Sequence, residues 1–192
     1  MPRGIPLYVA VHEAGHAVAI MANACRRNIE SLSIIEQPNG QLGFTASQAR
    51  FQPAFGHHYA KPSVAVDLVE AARLDTIELL AGPIAERRFR RQSEADRLFA
   101  AHYLAEGLAS GRLAPTPDED AAKIMLRLRW LDDGPLVDAF ITAWQQTENV
   151  LRPRWKSVVE LGRWLHQQGR IEEKELYCWW DLKLLTRQRR VA

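Results

Sequence analysis

The sequence predicts a mainly helical domain with a small β-hairpin beside its first helix. Apolar residues recur at helical spacing along most of the 192 residues. One stretch near the N-terminus is instead β-branched and partly alternating, as in a strand, and a turn sequence follows it. The length suits one domain with its own core. We therefore expect a single domain over residues 1–192, which consists of a part with the hairpin, residues 1–134, and a C-terminal helical part, residues 135–192.

The first predicted helix begins at Pro6 and runs to about Ala24. Proline suits the first position of a helix, and Asn23 followed by Arg26 and Arg27 marks the end. The helix is apolar nearly all round, which predicts that it is buried.

This buried helix carries the motif His12-Glu13-Ala14-Gly15-His16. Residues four apart lie on one face of a helix, so both imidazoles can bind one cation, and Glu13 stands beside them. Neutral imidazole suits zinc, and a catalytic zinc site has three protein ligands and one open position. The motif therefore predicts His12 and His16 as zinc ligands and Glu13 as a general base.

A metal-free helical protein is the simpler interpretation of the same residues. Neighbouring carboxylates or solvent would then satisfy the two histidines. Polar side chains in such an apolar helix need partners, and a metal would supply them.

The hairpin is predicted from Ile29–Ile35, the turn Gln37–Gly40 and the returning strand Gln41–Ala46. Residues 47–62 contain proline, glycine and aromatic residues without a sustained period, which predicts a loop over or beside the site. His57 and His58 lie in this loop and are either solvent-exposed or available to substrate or metal.

A long helical pattern follows over Val64–Arg91, and Pro83 predicts a kink or a break between two helices. Glu86 lies just beyond this proline. It is either a partner for a zinc-bound imidazole or an exposed helix charge.

Another helix start is predicted at Thr116, which suits the N-cap position. Pro117 suits the first helical position and Glu119 completes a capping box. Asp118 is thereby placed in the first turn of a helix that runs to Trp130.

Further helices are predicted over Ser93–Leu108, Leu136–Leu151 and Pro153–Gln168, and a short capped segment over Ile171–Leu176. Trp144, Trp155 and Trp164 are expected in the core, and the stretch Cys178–Trp180 either packs on the bundle or forms a protein contact.

Composition excludes several classes of partner. The 25 Lys and Arg against 23 Asp and Glu give a net charge of +2, which creates no general attraction to nucleic acid or anionic membrane. No run of about 18 apolar residues is present for a membrane span. Cys25 and Cys178 show no metal spacing and are expected to be free thiols of a reducing compartment, so we expect a soluble cytoplasmic protein.

The order of these elements resembles the peptidase domain of the FtsH-type zinc proteases. The matching pieces are the helix containing His12–Val18, the hairpin from Leu32 to Thr45 that ends Leu-Gly-Phe-Thr, the segment Leu80–Glu86, and the ending Gly-Arg-Ile-Glu-Glu-Lys-Glu-Leu at 169–176. Only the first piece is highly specific. The resemblance implies a helical, zincin-like peptidase domain with its small sheet next to the motif helix.

In that family the third zinc ligand is an aspartate in the first turn of a later helix, preceded by a small capping residue and followed four positions on by alanine. Asp118 matches, with Thr116 before it and Ala122 after it. Asp96 is the second choice, since Ser93 precedes it and Ala100 follows it at the same spacing, and Asp120 is the third.

The resemblance therefore implies a zinc-dependent endopeptidase, acting on peptides or unfolded protein segments. The family's motor domain and membrane anchors have no counterpart in this sequence, and no Walker-type loop occurs, so we expect activity without ATP. A homo-oligomer or an external partner is compatible with this expectation. The alternative is a non-catalytic zinc-binding module that keeps the fold and docks a partner.

Overall fold

The computed structural model describes residues 4–23, 29–36, 43–47, 62–109, 124 and 135–188. Over these ranges the chain is mainly helical with one small antiparallel sheet, as the sequence predicts. The helices are α1 (Leu7–Ala22), α2 (Pro62–Phe89), α3 (Glu94–Ala109), α4 (Leu136–Leu151), α5 (Trp155–Gln168) and α6 (Glu173–Gln188). The strands are β1 (Ile29–Ser33), β2 (Phe44–Ser47) and β3 (Arg170–Glu172). None of the helices in these ranges has the length and apolarity to cross a membrane.

Helix α1 is the centre of the fold, and it is buried along most of its length. It packs against α2 and α5, and it also contacts α4, β1 and β2. Small residues permit these close approaches. A Cβ on Gly15 would lie 2.5 Å from the carbonyl oxygen of Ala81, and a Cβ on Gly162 would lie 2.8 Å from a methyl group of Val11. The burial predicted from the apolar sequence of α1 is confirmed.

The sheet has the strand order β2-β1-β3, with β1 in the centre. Strands β1 and β2 pair antiparallel with Leu32 opposite Thr45 and Ser33 opposite Phe44, so the predicted hairpin pairing is confirmed. A bulge between Ile29 and Ser31 shifts the register at the start of β1. The predicted turn Gln37–Gly40 lies outside the described residues.

The third strand is not predicted from the sequence. Instead of one short capped segment, Ile171–Leu176, the chain forms β3 and then α6. Gly169 explains the difference, because its φ of 80° ends α5 in a conformation that favours glycine. Its carbonyl accepts a hydrogen bond from the backbone N–H of Ile34 at 2.9 Å, which directs the following residues to the second edge of β1.

A break at Pro83 does not occur, since α2 continues through this residue to Phe89. The proline removes one helical hydrogen bond. Buried residues on both sides, Leu80, Ala81, Ile84 and Ala85, belong to the main core, and their burial offsets that loss.

Two predicted segments lie largely outside the described part of the chain. Of the predicted helix from Thr116 to Trp130 only Ile124 is described, and it is helical and buried. The loop that carries His57 and His58 is not among the described residues.

Helix α3 begins with a hydrogen-bonded cap formed by Ser93 and Asp96. The Ser93 hydroxyl donates to Asp96 Oδ2 at 2.6 Å and accepts from the Asp96 backbone N–H at 3.1 Å. The backbone N–H of Ser93 also donates to Asp96 Oδ2 at 3.1 Å. These bonds stabilise the charged carboxylate, and the hydroxyl bond is the main reason that the pKa of Asp96 is lowered.

We predict that Asp96 titrates below the usual aspartate value of about 3.9 in a carboxyl NMR titration. Because the folded pKa is the lower one, the cap adds stability above about pH 3.9 and loses it as the pH falls through the folded pKa. Ser93→Ala should raise the titration midpoint, whereas Ser93→Thr, which keeps the hydroxyl, should not. An ordinary midpoint in the unmodified protein would contradict the cap.

Candidate metal centre

The two motif histidines lie side by side on α1. The ring centroids of His12 and His16 are 4.9 Å apart and the ring planes are inclined by 67°. The two rings are neighbours because residues four apart in a helix lie on the same face. The orientation of each ring is set by α2, which packs along the same face of α1.

His16 is held by the backbone of α2. Its Nδ1 lies 2.7 Å from the carbonyl oxygen of Glu78 in a buried contact. A carbonyl oxygen only accepts hydrogen bonds, so Nδ1 carries the proton and the neutral ring presents its lone pair at Nε2. The side chain of Glu78 is also anchored, because its Oε1 accepts from Asn23 Nδ2 at 2.6 Å. Both ends of this contact are therefore fixed.

His12 is held by a carboxylate of α2, that of Glu86. Its Nδ1 lies 3.2 Å from Glu86 Oε2, and Arg90 Nη1 donates to Glu86 Oε1 at 3.0 Å. The hydrogen bond with His12 is the main cause that lowers the pKa of Glu86. Partial burial opposes this effect and Arg90 adds to it. Glu86 is thus ionised at neutral pH and accepts a hydrogen bond from Nδ1, so the neutral ring of His12 has its lone pair at Nε2 as well.

The two Nε2 atoms converge on Gly82. A Cβ on Gly82 would lie 2.7 Å from Nε2 of His12 and would collide still more closely with Nε2 of His16. Only glycine leaves this space, because every other residue would fill it with a side chain. The arrangement forms a cradle lined by two imidazole nitrogens.

Glu13 turns its carboxylate towards β2. It is 6% exposed, and Thr45 Oγ1 donates to its Oε2 at 2.7 Å. Gly43, which precedes β2, lies against the other carboxylate oxygen, since a Cβ there would be 2.8 Å from Oε1. The general base predicted from the sequence is therefore a buried and hydrogen-bonded carboxylate in the same turn as His12.

Asp118, the predicted third ligand, lies outside the described residues, as does Asp120. Among the side chains that the structure describes, no group of three or more His, Cys, Asp or Glu residues is arranged to hold a metal ion. Asp96 is described, and its exposed carboxylate caps α3. Its place as the second choice for the third ligand stays a prediction. The structure thus positions His12, Glu13 and His16, and Asp118 stays a prediction.

Some residues of the site were predicted from the sequence and others were not. Of the two interpretations of Glu86, the structure shows the contact with His12. The carbonyl of Glu78 carries no signal in the sequence, because every residue has one. Gly82 and Thr45 belong to segments with a family resemblance, Ala-Gly-Pro and Leu-Gly-Phe-Thr, but their roles depend on contacts between distant segments.

No family model matches the chain, and a search of curated proteins found no significant relative. The functional argument therefore depends on the geometry of the residues themselves. The resemblance to the FtsH-type peptidase domain stays a prediction.

We predict that Gly82→Ala weakens zinc binding, because the added methyl group occupies the space on which both Nε2 atoms converge. The dissociation constant for zinc should rise by about tenfold or more, the effect expected when ligand histidines are displaced. Isothermal titration calorimetry measures this change, and Gly107→Ala in α3 is the matched control. Zinc affinity equal to that of the unmodified protein would contradict the cradle.

We predict that Glu86→Ala lowers zinc affinity roughly 10–100-fold, because His12 loses the acceptor of its Nδ1 proton. Glu94→Ala is the control, since Glu94 is an exposed helix carboxylate paired with Arg152 at 3.3 Å. The same titration applies to both variants. Equal zinc affinity in the two variants would show that the contact does not orient His12.

Proposed function

We propose that this protein is a zinc-dependent endopeptidase that acts without ATP. His12, His16 and Asp118 would hold the zinc, and Glu13 would be the general base. The observation that carries the proposal is the convergence of the two Nε2 atoms on Gly82 while both Nδ1 atoms contact acceptors.

The two histidines suit zinc in their chemistry. Zinc prefers imidazole nitrogen, and zinc-bound histidines commonly donate their other N–H to a carboxylate or a backbone carbonyl. Both types of acceptor are present here, Glu86 for His12 and the Glu78 carbonyl for His16. Asp118 would add a carboxylate oxygen, which is also a usual zinc ligand.

The proposed reaction is hydrolysis of a peptide bond. When bound, zinc supplies Lewis acidity for the scissile carbonyl and lowers the pKa of water towards about 7. The carboxylate of Glu13 takes a proton from the attacking water while the water oxygen bonds to the carbonyl carbon. Glu13 then delivers that proton to the amine nitrogen as the carbon–nitrogen bond breaks, so its charge is restored.

The proposed substrates are short peptides, flexible tails and unfolded segments. Within the described sheet, β2 is an edge strand, and it is the strand that contacts Glu13. An extended peptide can add to such an edge through backbone hydrogen bonds. This arrangement, together with the helical surroundings of the motif, supports the proposal of a zincin-like peptidase fold.

A zinc-binding interaction module is the alternative function. Leu182 on α6 is 65% exposed and would be the apolar contact for a partner, whereas Trp179 on the same helix packs against the core. Such a module needs zinc but needs no general base. A variant of Glu13 therefore separates the two functions.

We predict that the protein, purified without an affinity tag, contains about one zinc per chain, as a single mononuclear site requires. His16→Ala and Asp118→Ala should lose the metal, and Asp96→Asn should retain it, because Asp96 caps α3. Elemental analysis measures the content. A protein that stays empty when zinc is offered contradicts the proposal, and retention of zinc by Asp118→Ala contradicts the choice of third ligand.

Glu13→Gln then tests the catalytic step. We expect the variant to keep its zinc and to cleave fluorescein-labelled casein at least about 100-fold more slowly, which is the lower range for loss of a general base. A chelator should abolish cleavage by the unmodified protein, and added zinc should restore it. Zinc binding with no cleavage by the unmodified protein would favour the interaction module.

A further inference from the structure

The carboxylate of Glu13 is held by a second element that is remote in sequence. Thr45 Oγ1 lies 2.7 Å from Glu13 Oε2 and 3.4 Å from the Glu13 backbone carbonyl oxygen. A hydroxyl has one proton to donate, and the shorter contact to a charged oxygen is the stronger hydrogen bond. Thr45 therefore binds the carboxylate.

The burial of Glu13 increases the importance of this hydrogen bond. Glu13 is 6% exposed, and a buried carboxylate without donors is strongly disfavoured. The Thr45 hydroxyl replaces part of the hydration that burial removes. It also occupies one of the two carboxylate oxygens, so the two oxygens of Glu13 are no longer equivalent.

Gly43 determines where the other oxygen lies. A Cβ on Gly43 would lie 2.8 Å from Oε1 and 3.1 Å from Cγ of Glu13. Residues two apart in an extended segment point to the same side, so Gly43 and Thr45 meet the carboxylate together. Oε2 of Glu13 lies beside the hydroxyl of Thr45. Oε1 lies in the space that a side chain at position 43 would fill.

The sheet fixes the position of this threonine. Thr45 is paired with Leu32 in β1, and Leu32 is paired on its other side with Ile171 in β3. Both partners are fully buried. Backbone pairing with the buried central strand therefore fixes the position of Thr45 beside Glu13.

We propose that Thr45 is a positioning residue for the general base and that Gly43 provides the space for it. The inference depends on the proposed peptidase function for its catalytic meaning. Thr45 fixes Oε2, which leaves Oε1 as the oxygen that exchanges a proton with water and with the leaving amine.

The test compares Thr45→Val, which removes the hydroxyl and keeps the shape, with Thr45→Ser, which keeps the hydroxyl. Thr147→Val is the matched control, because Thr147 is a buried threonine whose hydroxyl donates to the Ala143 carbonyl within α4. The substrate is an internally quenched unstructured peptide, and zinc content is measured on the same samples.

We expect Thr45→Val to retain its zinc and its KM and to lose kcat by about tenfold or more, the factor typical of one hydrogen bond to a charged group. Thr45→Ser should keep kcat near that of the unmodified protein, and Thr147→Val should leave kcat unchanged. An unchanged kcat in an active Thr45→Val variant overturns the proposal, as does an equal loss in Thr45→Ser.

A second readout does not depend on activity. In the metal-free protein, Thr45→Val should lower the thermal midpoint by roughly 2–4 °C. In a Glu13→Ala background the same change should have a smaller effect, because the hydroxyl has lost its carboxylate partner. Equal shifts in both backgrounds overturn the proposal. If zinc-loaded protein cleaves no peptide, the proposed function fails, and this pair of measurements alone decides whether Thr45 holds Glu13.

Discussion

The close packing of α1 against α2 is the constraint on which the site depends. Gly15 on α1 brings the two backbones together at Ala81, and the next residue along α2, Gly82, leaves the space for the imidazole rings of His12 and His16. A larger residue at either glycine would separate the helices or displace the rings. The same contact therefore forms part of the core and defines the cradle in which two nitrogens converge.

Burial of the motif helix creates a demand for hydrogen-bond partners, and each polar side chain of the motif has one from another element. Helix α2 provides the carboxylate of Glu86 and the carbonyl of Glu78, and β2 provides the hydroxyl of Thr45. These partners select one tautomer of each neutral ring and one orientation for the carboxylate. The groups that satisfy the buried helix are thus the groups that orient the side chains on which the proposed metal and proton chemistry depends.

The sheet links the C-terminal part of the chain to this arrangement. Gly169 ends α5 and directs β3 onto β1, whose other edge carries β2 and Thr45. Helix α5 also packs directly on α1, with Gly162 against Val11. The C-terminal helices are therefore structural supports of the site, and their removal would expose α1.

The local spacing of apolar and turn residues was enough to predict most of the helices and the hairpin. The helix of the motif, the neighbouring histidines four residues apart, the hairpin and the helical pair at 136–168 all follow from local spacing and turn residues. The tertiary structure alone decided which groups meet across long separations. His12 meets Glu86 74 residues away, His16 meets Glu78 62 residues away, and Glu13 meets Thr45 32 residues away. Local periodicity shows which face of a helix is apolar, but the partner of a buried polar group depends on how the elements pack.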